Sequence, residues 1–265
     1  MMLLELVRQE AVKLFSQRFV YVLLTLVLLS QTGRMIGLAL TPTETALDVL
    51  TPPQLWAEGA SLGLRFASYV VLILGAMGFS QEFALGTVKT MLVLPLQRWQ
   101  WALAKQLFLC AIGAGLVLLV VLLSTVLTAV TTGMGGVVRE GLELYAPGAV
   151  WGAMAVATML TIVLVLPLCA MALLIGLYFT ASGAAVGVAI VLGIVLEIAA
   201  NLLPWHQAFF LSHLYAPFGL VLRMGRGMPF QWETLLTWGI GSSLVSLAIL
   251  CGWIIIKLQR MDVTA

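Results

Sequence analysis

Charged side chains are scarce in this sequence. Asp, Glu, Lys and Arg make up 9% of its 265 residues, and the formal net charge is +2. Soluble domains carry about 25% charged residues, so this composition excludes a soluble globular protein. The small net charge also gives nucleic-acid binding no electrostatic support, and we expect no nucleic-acid partner.

Histidine and cysteine are also few. His206 and His213 have no carboxylate or cysteine nearby at metal-ligand spacing, so we expect no metal site. Cys110, Cys169 and Cys251 each lie inside an apolar run, and none is near another in sequence. This pattern is typical of small packing side chains and not of a disulfide framework or a redox motif.

Nucleotide-binding and catalytic motifs are missing as well. The segment Gly86-Thr87-Val88-Lys89 lacks the upstream glycine of a phosphate-binding loop, so the chain should not hydrolyse ATP by itself. Ser182 precedes Gly183, but an intramembrane serine protease needs a histidine beside its serine. Both histidines are expected on the opposite side of the membrane. We therefore expect no catalytic residue and no cofactor in this chain.

Apolar residues dominate, at 62% of the sequence. A membrane-spanning helix needs about 20 consecutive, mostly apolar residues. The predicted spans cover residues 19–40, 59–79, 106–131, 148–179, 184–203 and 236–256. The fourth is long enough to tilt, or to kink at Pro167. The fold class is all-α integral membrane, with one transmembrane domain over residues 1–265.

Four segments lie outside the predicted spans. Residues 3–18 have the spacing of an amphipathic helix, which we expect to lie in the membrane interface with its basic side toward the headgroups. Residues 41–58 contain two adjacent prolines and three acids, which predicts an aqueous loop, and residues 132–147 form a Gly-rich polar loop. Residues 204–235 are half apolar, so re-entrant or interfacial helices are expected there.

The distribution of Lys and Arg predicts the orientation. One side of the membrane would hold Arg8, Lys13, Arg18, Lys89, Arg98, Lys105, Lys257 and Arg260, and the other would hold Arg34, Arg65, Arg139, Arg223 and Arg226. The positive-inside rule then places both termini in the cytoplasm. The predicted location is the bacterial plasma (inner) membrane.

Three polar residues within the predicted spans are candidates for a function. Glu197 is an acid inside the fifth span, Asn201 lies one turn further on the same face, and Arg65 in the second span could pair with Glu197. Charged residues within a membrane usually face a partner or a water-filled cavity. Two interpretations stay open: a translocation path or proton-coupled site, and an interhelical pair without substrate contact.

A polar segment over residues 80–105 separates the second and third spans. It contains Glu82, Lys89, Arg98 and Lys105 within an otherwise apolar chain, so we expect it to contact water. Gly86 permits a tight turn, and Pro95 prevents one continuous helix into the next span.

This segment resembles the ABC-2 type permeases, the membrane subunits of ATP-driven exporters. The resemblance depends on an acidic-Gly-Thr segment (Glu82, Gly86, Thr87), a P-x-x-R turn from Pro95 to Arg98, and an Ala-Lys pair ending at Lys105. The layout is also similar: an interfacial N-terminal helix, about six spans and a large apolar loop before the last span.

The resemblance implies a cytoplasmic coupling helix that docks on a separately encoded ATP-binding cassette subunit. Two such subunits, which bind ATP and Mg, would work with two permease subunits as a homodimer or a heterodimer. The residues assigned to this coupling are Glu82, Gly86, Thr87, Pro95, Arg98 and Lys105.

Two other functions stay open. A self-sufficient secondary transporter would show internal repeats with broken helices, and no convincing repeat is present. An ABC membrane subunit could also transmit force without moving a solute. The sequence does not identify a substrate.

Overall fold

The computed structural model describes residues 2–40, 50–87, 98–139, 141–202 and 210–260. Within these ranges the chain is almost entirely helical. In chain order the elements are α1 (Met2–Phe15), α2 (Arg18–Leu40), α3 (Pro52–Ala84), α4 (Arg98–Thr131), β1 (Val137–Arg139), β2 (Leu142–Tyr145), α5 (Pro147–Gly176), α6 (Ser182–Leu202), α7 (Phe210–Leu214), α8 (Ala216–Gly225), a π-helical turn (Leu235–Gly239) and α9 (Ile240–Gln259).

Six helices are long and apolar enough to cross a membrane: α2 to α6, and α9 together with the π-helical turn before it. The sequence predicted six such helices, and the architecture is that of an all-α, multi-pass membrane protein. α5 continues through Pro167 as one helix. The bundle exposes large apolar side chains, such as Leu29, Leu122, Val191 and Ile249. Such a surface is suited to lipid and not to water.

Contacts between neighbouring helices give their directions. Gln17, just before α2, donates a hydrogen bond from Nε2 to Gln81 Oε1 near the end of α3, at 3.3 Å. Arg98, at the start of α4, donates to the carbonyl oxygen of Leu258 near the end of α9, at 2.9 Å. The ends of α3 and α9 therefore meet the starts of α2 and α4 at one end of the bundle, which we call the terminal end. The opposite end is the far end.

α3 is the central helix and packs against α2, α4, α5, α6 and α8. The predicted aqueous loop over 41–58 is wrong for residues 52–58, which form the first turns of α3; residues 41–49 lie outside the described part. Pro52 and Pro53 occupy the first turn, where proline needs no hydrogen-bond donor and its fixed φ suits a helix. The Thr51 amide donates to Gln54 Oε1 at 2.9 Å, which satisfies one of the free groups at this end.

α4 begins at Arg98, and not at residue 106 as predicted. Two of the polar residues that suggested a connection, Arg98 and Lys105, are part of its first two turns. Trp101 and Lys105, one turn apart, both face into the bundle and are buried. Because this face is buried, the helix begins before the first residue of the apolar run.

A small β-hairpin replaces the predicted irregular loop over 132–147. β1 pairs antiparallel with β2, and Val138 lies opposite Glu143. Gly141 has φ +80°, a conformation that glycine adopts without strain. The all-α prediction therefore holds for the spanning part only.

Two short helices occupy the segment that was expected to be re-entrant. Gly225, at the end of α8, lies against Gln54 near the start of α3, and the Phe218 and Trp56 rings meet edge-on at 5.4 Å. The Tyr215 ring lies under the Arg65 guanidinium at 5.5 Å. Arg65 is about 20 Å along α3 from its first residue, at 1.5 Å per residue. α8 therefore begins beside the middle of α3 and runs back toward the first turns of α3. Residues 203–209 lie outside the described part.

α3 and α5 run in the same direction and touch through glycines. Gly75 of α3 lies against Ala172 of α5, and Gly176 of α5 lies against the backbone of Ala76. A methyl group at either glycine would collide with the neighbouring helix. Small residues allow such close approach between membrane helices.

Candidate functional site

A buried ion cluster lies at the terminal end of the bundle. Lys105 of α4 donates from Nζ to Glu82 Oε1 of α3 at 2.9 Å and to Glu10 Oε1 of α1 at 2.8 Å. Its third hydrogen bond goes to the Gly78 carbonyl oxygen at 2.9 Å. An ammonium group has three protons to donate, so the Lys105 side chain is fully satisfied.

Lys13 of α1 adds a second cation to the same carboxylate. Its Nζ lies 2.7 Å from Glu82 Oε1. The side chains of Glu82 and Lys105 are each only 2% exposed, whereas that of Lys13 is 37% exposed. Two acids and two bases balance in charge, which is the condition for burying ionised groups. We call Glu10, Lys13, Glu82 and Lys105 the ion cluster.

Helical spacing explains how α1 contributes two members of the ion cluster. Glu10 and Lys13 are three residues apart on α1, so their side chains point the same way. Gln17 follows α1 and contacts Gln81. The basic side of α1 was expected to face the lipid headgroups, but Lys13 contacts Glu82 instead.

Aromatic rings surround the cluster. The Phe79 and Trp101 rings meet edge-on, with centroids 5.0 Å apart. Lys105 Nζ lies 5.4 Å from the Phe79 centroid and 5.7 Å from that of Trp101. Rings at these distances attract a cation and keep water away, which strengthens the neighbouring ion pairs.

A cavity of about 40 Å³ adjoins the cluster, with Glu10, Lys13, Gln17, Gln81 and Lys105 among its lining residues. This volume exceeds the roughly 10–15 Å³ that one water molecule requires. The cluster therefore has protein on one side and, on the other, a small space whose lining is mostly apolar.

The residues assigned to coupling fall into four groups. Glu82 and Lys105 are buried, so the expectation that they contact water is wrong for both. Pro95 lies outside the described residues. Arg98 donates to the carbonyl oxygens of Leu258 at 2.9 Å and Gln259 at 3.2 Å, so it joins α4 to the C-terminal end of α9.

Gly86 and Thr87 lie where the chain leaves α3. Gly86 has φ +67°, and Thr87 Oγ1 lies 3.3 Å from the Glu82 carbonyl oxygen. Residues 84–87 are exposed, and Leu85 shows 72% of its surface. This turn is therefore a part of the predicted coupling segment that a partner can reach directly.

A second polar group lies at the surface of the bundle, between α3 and α6. Arg65 Nε is 3.8 Å from Glu197 Oε1, and Tyr69 donates to Glu197 Oε2 at 3.3 Å. The side chains of Arg65 and Glu197 are 57% and 27% exposed. The structure thus brings together the two residues that the sequence suggested as partners. Asn201 lies in α6, one turn beyond Glu197.

Tyr215, in the bend between α7 and α8, belongs to the same group. Its ring lies under Arg65. Burial raises the pKa of Tyr215 to about 12, so its phenol is neutral at physiological pH. We call Arg65 and Glu197 the surface pair. Tyr69 and Tyr215 are the tyrosines that contact it.

Sequence reasoning missed Glu10, Lys13, Tyr69 and Tyr215. The spacing of Glu10 and Lys13 was visible, but their partners are 69 to 95 residues away in the chain. Tyr69 is one turn from Arg65 on α3, so that neighbourhood could have been predicted. Tyr215 could not, because only the packing of α8 brings it to α3.

The cysteines pack as expected: Cys169 is buried, with Sγ 3.6 Å from the Leu109 carbonyl oxygen. Across the described ranges, no group of three or more His, Cys, Asp or Glu side chains is placed to hold a metal ion.

Comparison with known families gives one result for most of the chain. Residues 51–264 match the family described as "Protein of unknown function (DUF2705)". No curated protein matches the sequence. The matched range begins just before α3 and contains both Glu82 and Lys105, but not α1 with Glu10 and Lys13.

Proposed function

The chain belongs to this family of unknown function, and we propose that it is the membrane-spanning permease subunit of an ABC-2 type exporter. ATP and Mg would be bound by separately encoded ATP-binding cassette subunits, two per transporter. A second permease subunit, identical or related, would complete the assembly in the lipid bilayer. The proposal depends on the ABC-2-like residues between α3 and α4, and on the ion cluster that brackets them.

The ion cluster is the observation that carries the proposal. Glu82 lies just before the exposed turn at residues 84–87, and Lys105 lies in the second turn of α4. Their direct contact joins the two helices on either side of the connection. Glu10 and Lys13 attach α1 to the same point.

This arrangement would transmit a force applied at the connection. Removing one partner from a buried ion pair costs about 3–5 kcal/mol, so α1, α3 and α4 should move together at this end. A subunit that pushed on residues 84–87 would then displace three helices. Docking therefore belongs to the exposed turn, while Glu82 and Lys105 transmit the displacement.

The direction of the chain in the membrane is part of the proposal. Docking on a soluble ATPase requires the terminal end to face the cytoplasm. Arg8, Arg18, Arg98, Lys257 and Arg260 lie toward this end, in agreement with the positive-inside rule. The membrane would be the bacterial plasma membrane.

The test uses the full chain co-expressed with an ATP-binding cassette protein encoded beside it. Leu85→Asp places a charge on the exposed turn, and we expect loss of co-purification and of ATPase stimulation. Leu4→Asp is the matched control, because Leu4 is 78% exposed on α1 at the same end.

Wild-type co-purification and ATPase stimulation by Leu85→Asp would contradict the docking proposal. Glu82→Gln separates the two roles. It should leave docking intact and reduce the stimulated ATPase or transport, because its effect lies in transmission.

The surface pair favours one second candidate, a secondary transporter. Arg65 and Glu197 are ionisable groups within the spans, and such groups often mark ion or proton pathways. Solute movement driven by an ion gradient, in vesicles that hold this chain without an ATPase, would favour that function. Strict dependence on the ATPase would exclude it.

A further inference from the structure

A cleft of about 250 Å³ opens at the far end, between α8 and the turn that precedes α9. Leu220 and Leu235 supply apolar lining, while His213, Arg223, Gln231 and Thr234 supply polar groups. None of its lining residues is acidic. The cleft is separate from the ion cluster and from the surface pair.

The two faces of α8 have different roles. Phe218, Val221 and Met224 are buried in the hydrophobic core. Gly219 and Arg223, one turn apart, lie on another face and line the cleft. The packing of one face fixes the position of the other, so the cleft is built on a rigid element.

The polar groups of the cleft are suited to an anion. Arg223 is exposed, and its guanidinium makes no hydrogen bond or ion pair with the described part of the chain. An arginine fork matches the oxygens of a phosphate group. The amide of Gln231 and the hydroxyl of Thr234 provide further donors.

His213 places an imidazole at the inner wall. It is 8% exposed and packs near Gly239, where an added methyl group would lie 3.5 Å from its ring, at ordinary contact distance. The acid of this region, Glu233, is exposed and does not line the cleft.

We propose that this cleft binds a phosphate group, namely the headgroup phosphate of an anionic phospholipid. Leu236 and Trp238 are exposed next to the cleft, at 45% and 56%, and provide an apolar surface for acyl chains. An arginine fork beside an apolar surface matches the headgroup phosphate and the acyl chains of such a lipid. A soluble phosphate compound has the same chemistry and is distinguished by the test.

The test measures lipid retention by the full-length protein in native mass spectrometry. Wild-type protein from micelles with equal phosphatidylglycerol and phosphatidylcholine should keep phosphatidylglycerol preferentially. Arg223→Gln should reduce that retention about tenfold, since one charge-assisted hydrogen-bonding partner is lost. Arg226→Gln is the matched control, because Arg226 is exposed just beyond α8 and does not line the cleft.

Inorganic phosphate distinguishes the two sources. If it displaces phosphatidylglycerol from the wild type but not from Arg223→Gln, the cleft recognises the phosphate itself, and a soluble ligand can occupy it. If the lipid resists displacement, the source is the bilayer.

Equal loss in Arg223→Gln and Arg226→Gln, or no preference for phosphatidylglycerol in the wild type, would overturn the proposal. Gln231→Ala gives an independent measurement if Arg223→Gln is unstable. Gln231 is exposed, so its truncation should weaken retention without unfolding the protein.

Discussion

The ion cluster and the surface pair contain the same kinds of side chain in opposite surroundings. In the cluster, the side chains of Glu82 and Lys105 are each 2% exposed, and every proton of Lys105 has an acceptor. In the surface pair, Arg65 is 57% exposed and stands 3.8 Å from Glu197. An enclosed network depends on all its members, whereas an open pair loses little when one member changes.

The difference in burial suits the ion cluster and the surface pair to different mechanical roles. The cluster joins three helices at a fixed point, which suits the transmission of force. The surface pair can separate and reform at low cost, which suits a site whose contacts change during a cycle.

Glu82→Gln should be the most damaging single change. It removes the carboxylate that faces both Lys13 and Lys105, and leaves Lys105 buried with Glu10 as its remaining acid. We expect the free energy of unfolding to fall by about 3–5 kcal/mol, measured by denaturant titration in mixed micelles. Glu5→Gln is the control, because the Glu5 side chain is 64% exposed and pairs only weakly with Arg8. Equal effects of the two variants would show that burial does not distinguish them.

The double variant Glu82→Leu with Lys105→Met should be less damaging than either single change. It removes an acid and a base together, so Glu10 and Lys13 remain as one opposite-charge pair. Replacement of buried ion pairs by apolar residues is often neutral or stabilising, whereas the single changes leave unpaired charge. A double-mutant cycle on the unfolding free energy measures this coupling. Additive losses would mean that Glu82 and Lys105 act independently.

Glu197→Gln should have the smallest effect on stability. The exposed Arg65 keeps the Tyr215 ring as a partner, so we expect a loss below about 1 kcal/mol in the same titration. Glu233→Gln gives the reference value for an exposed acid. A loss as large as that of Glu82→Gln would show that the pair is enclosed in the working protein, for example by a second subunit.

The spans were predictable from the sequence because each is a long apolar run, and lipid requires no further pattern. Their ends were harder to predict. Pro52 and Pro53 suggested a loop, but prolines are also favourable in the first turn of a helix, and tertiary packing of Trp56 decides between the two. Arg98 and Lys105 suggested a connection in contact with water because both are charged. The sequence does not show whether a charged side chain has a buried partner of opposite charge.

The candidate functional residues also differ in whether the sequence could predict their partners. Arg65 and Glu197 could be paired in advance, because ionised groups within spans are so few that the choice of partners is small. The ion cluster could not, because Glu10 and Lys13 precede the first span and their partners lie in α3 and α4. Long-range pairing of this kind is set by the packing of α1 against α4.

The glycine contacts between α3 and α5 have a mechanical consequence. Gly75 and Gly176 hold the two backbones so close that neither helix can rotate or slide without collision. The pair should therefore act as a rigid unit in the half of the bundle toward the terminal end. Any opening and closing of the bundle must then come from the peripheral helices, which swing against that unit while it keeps its shape.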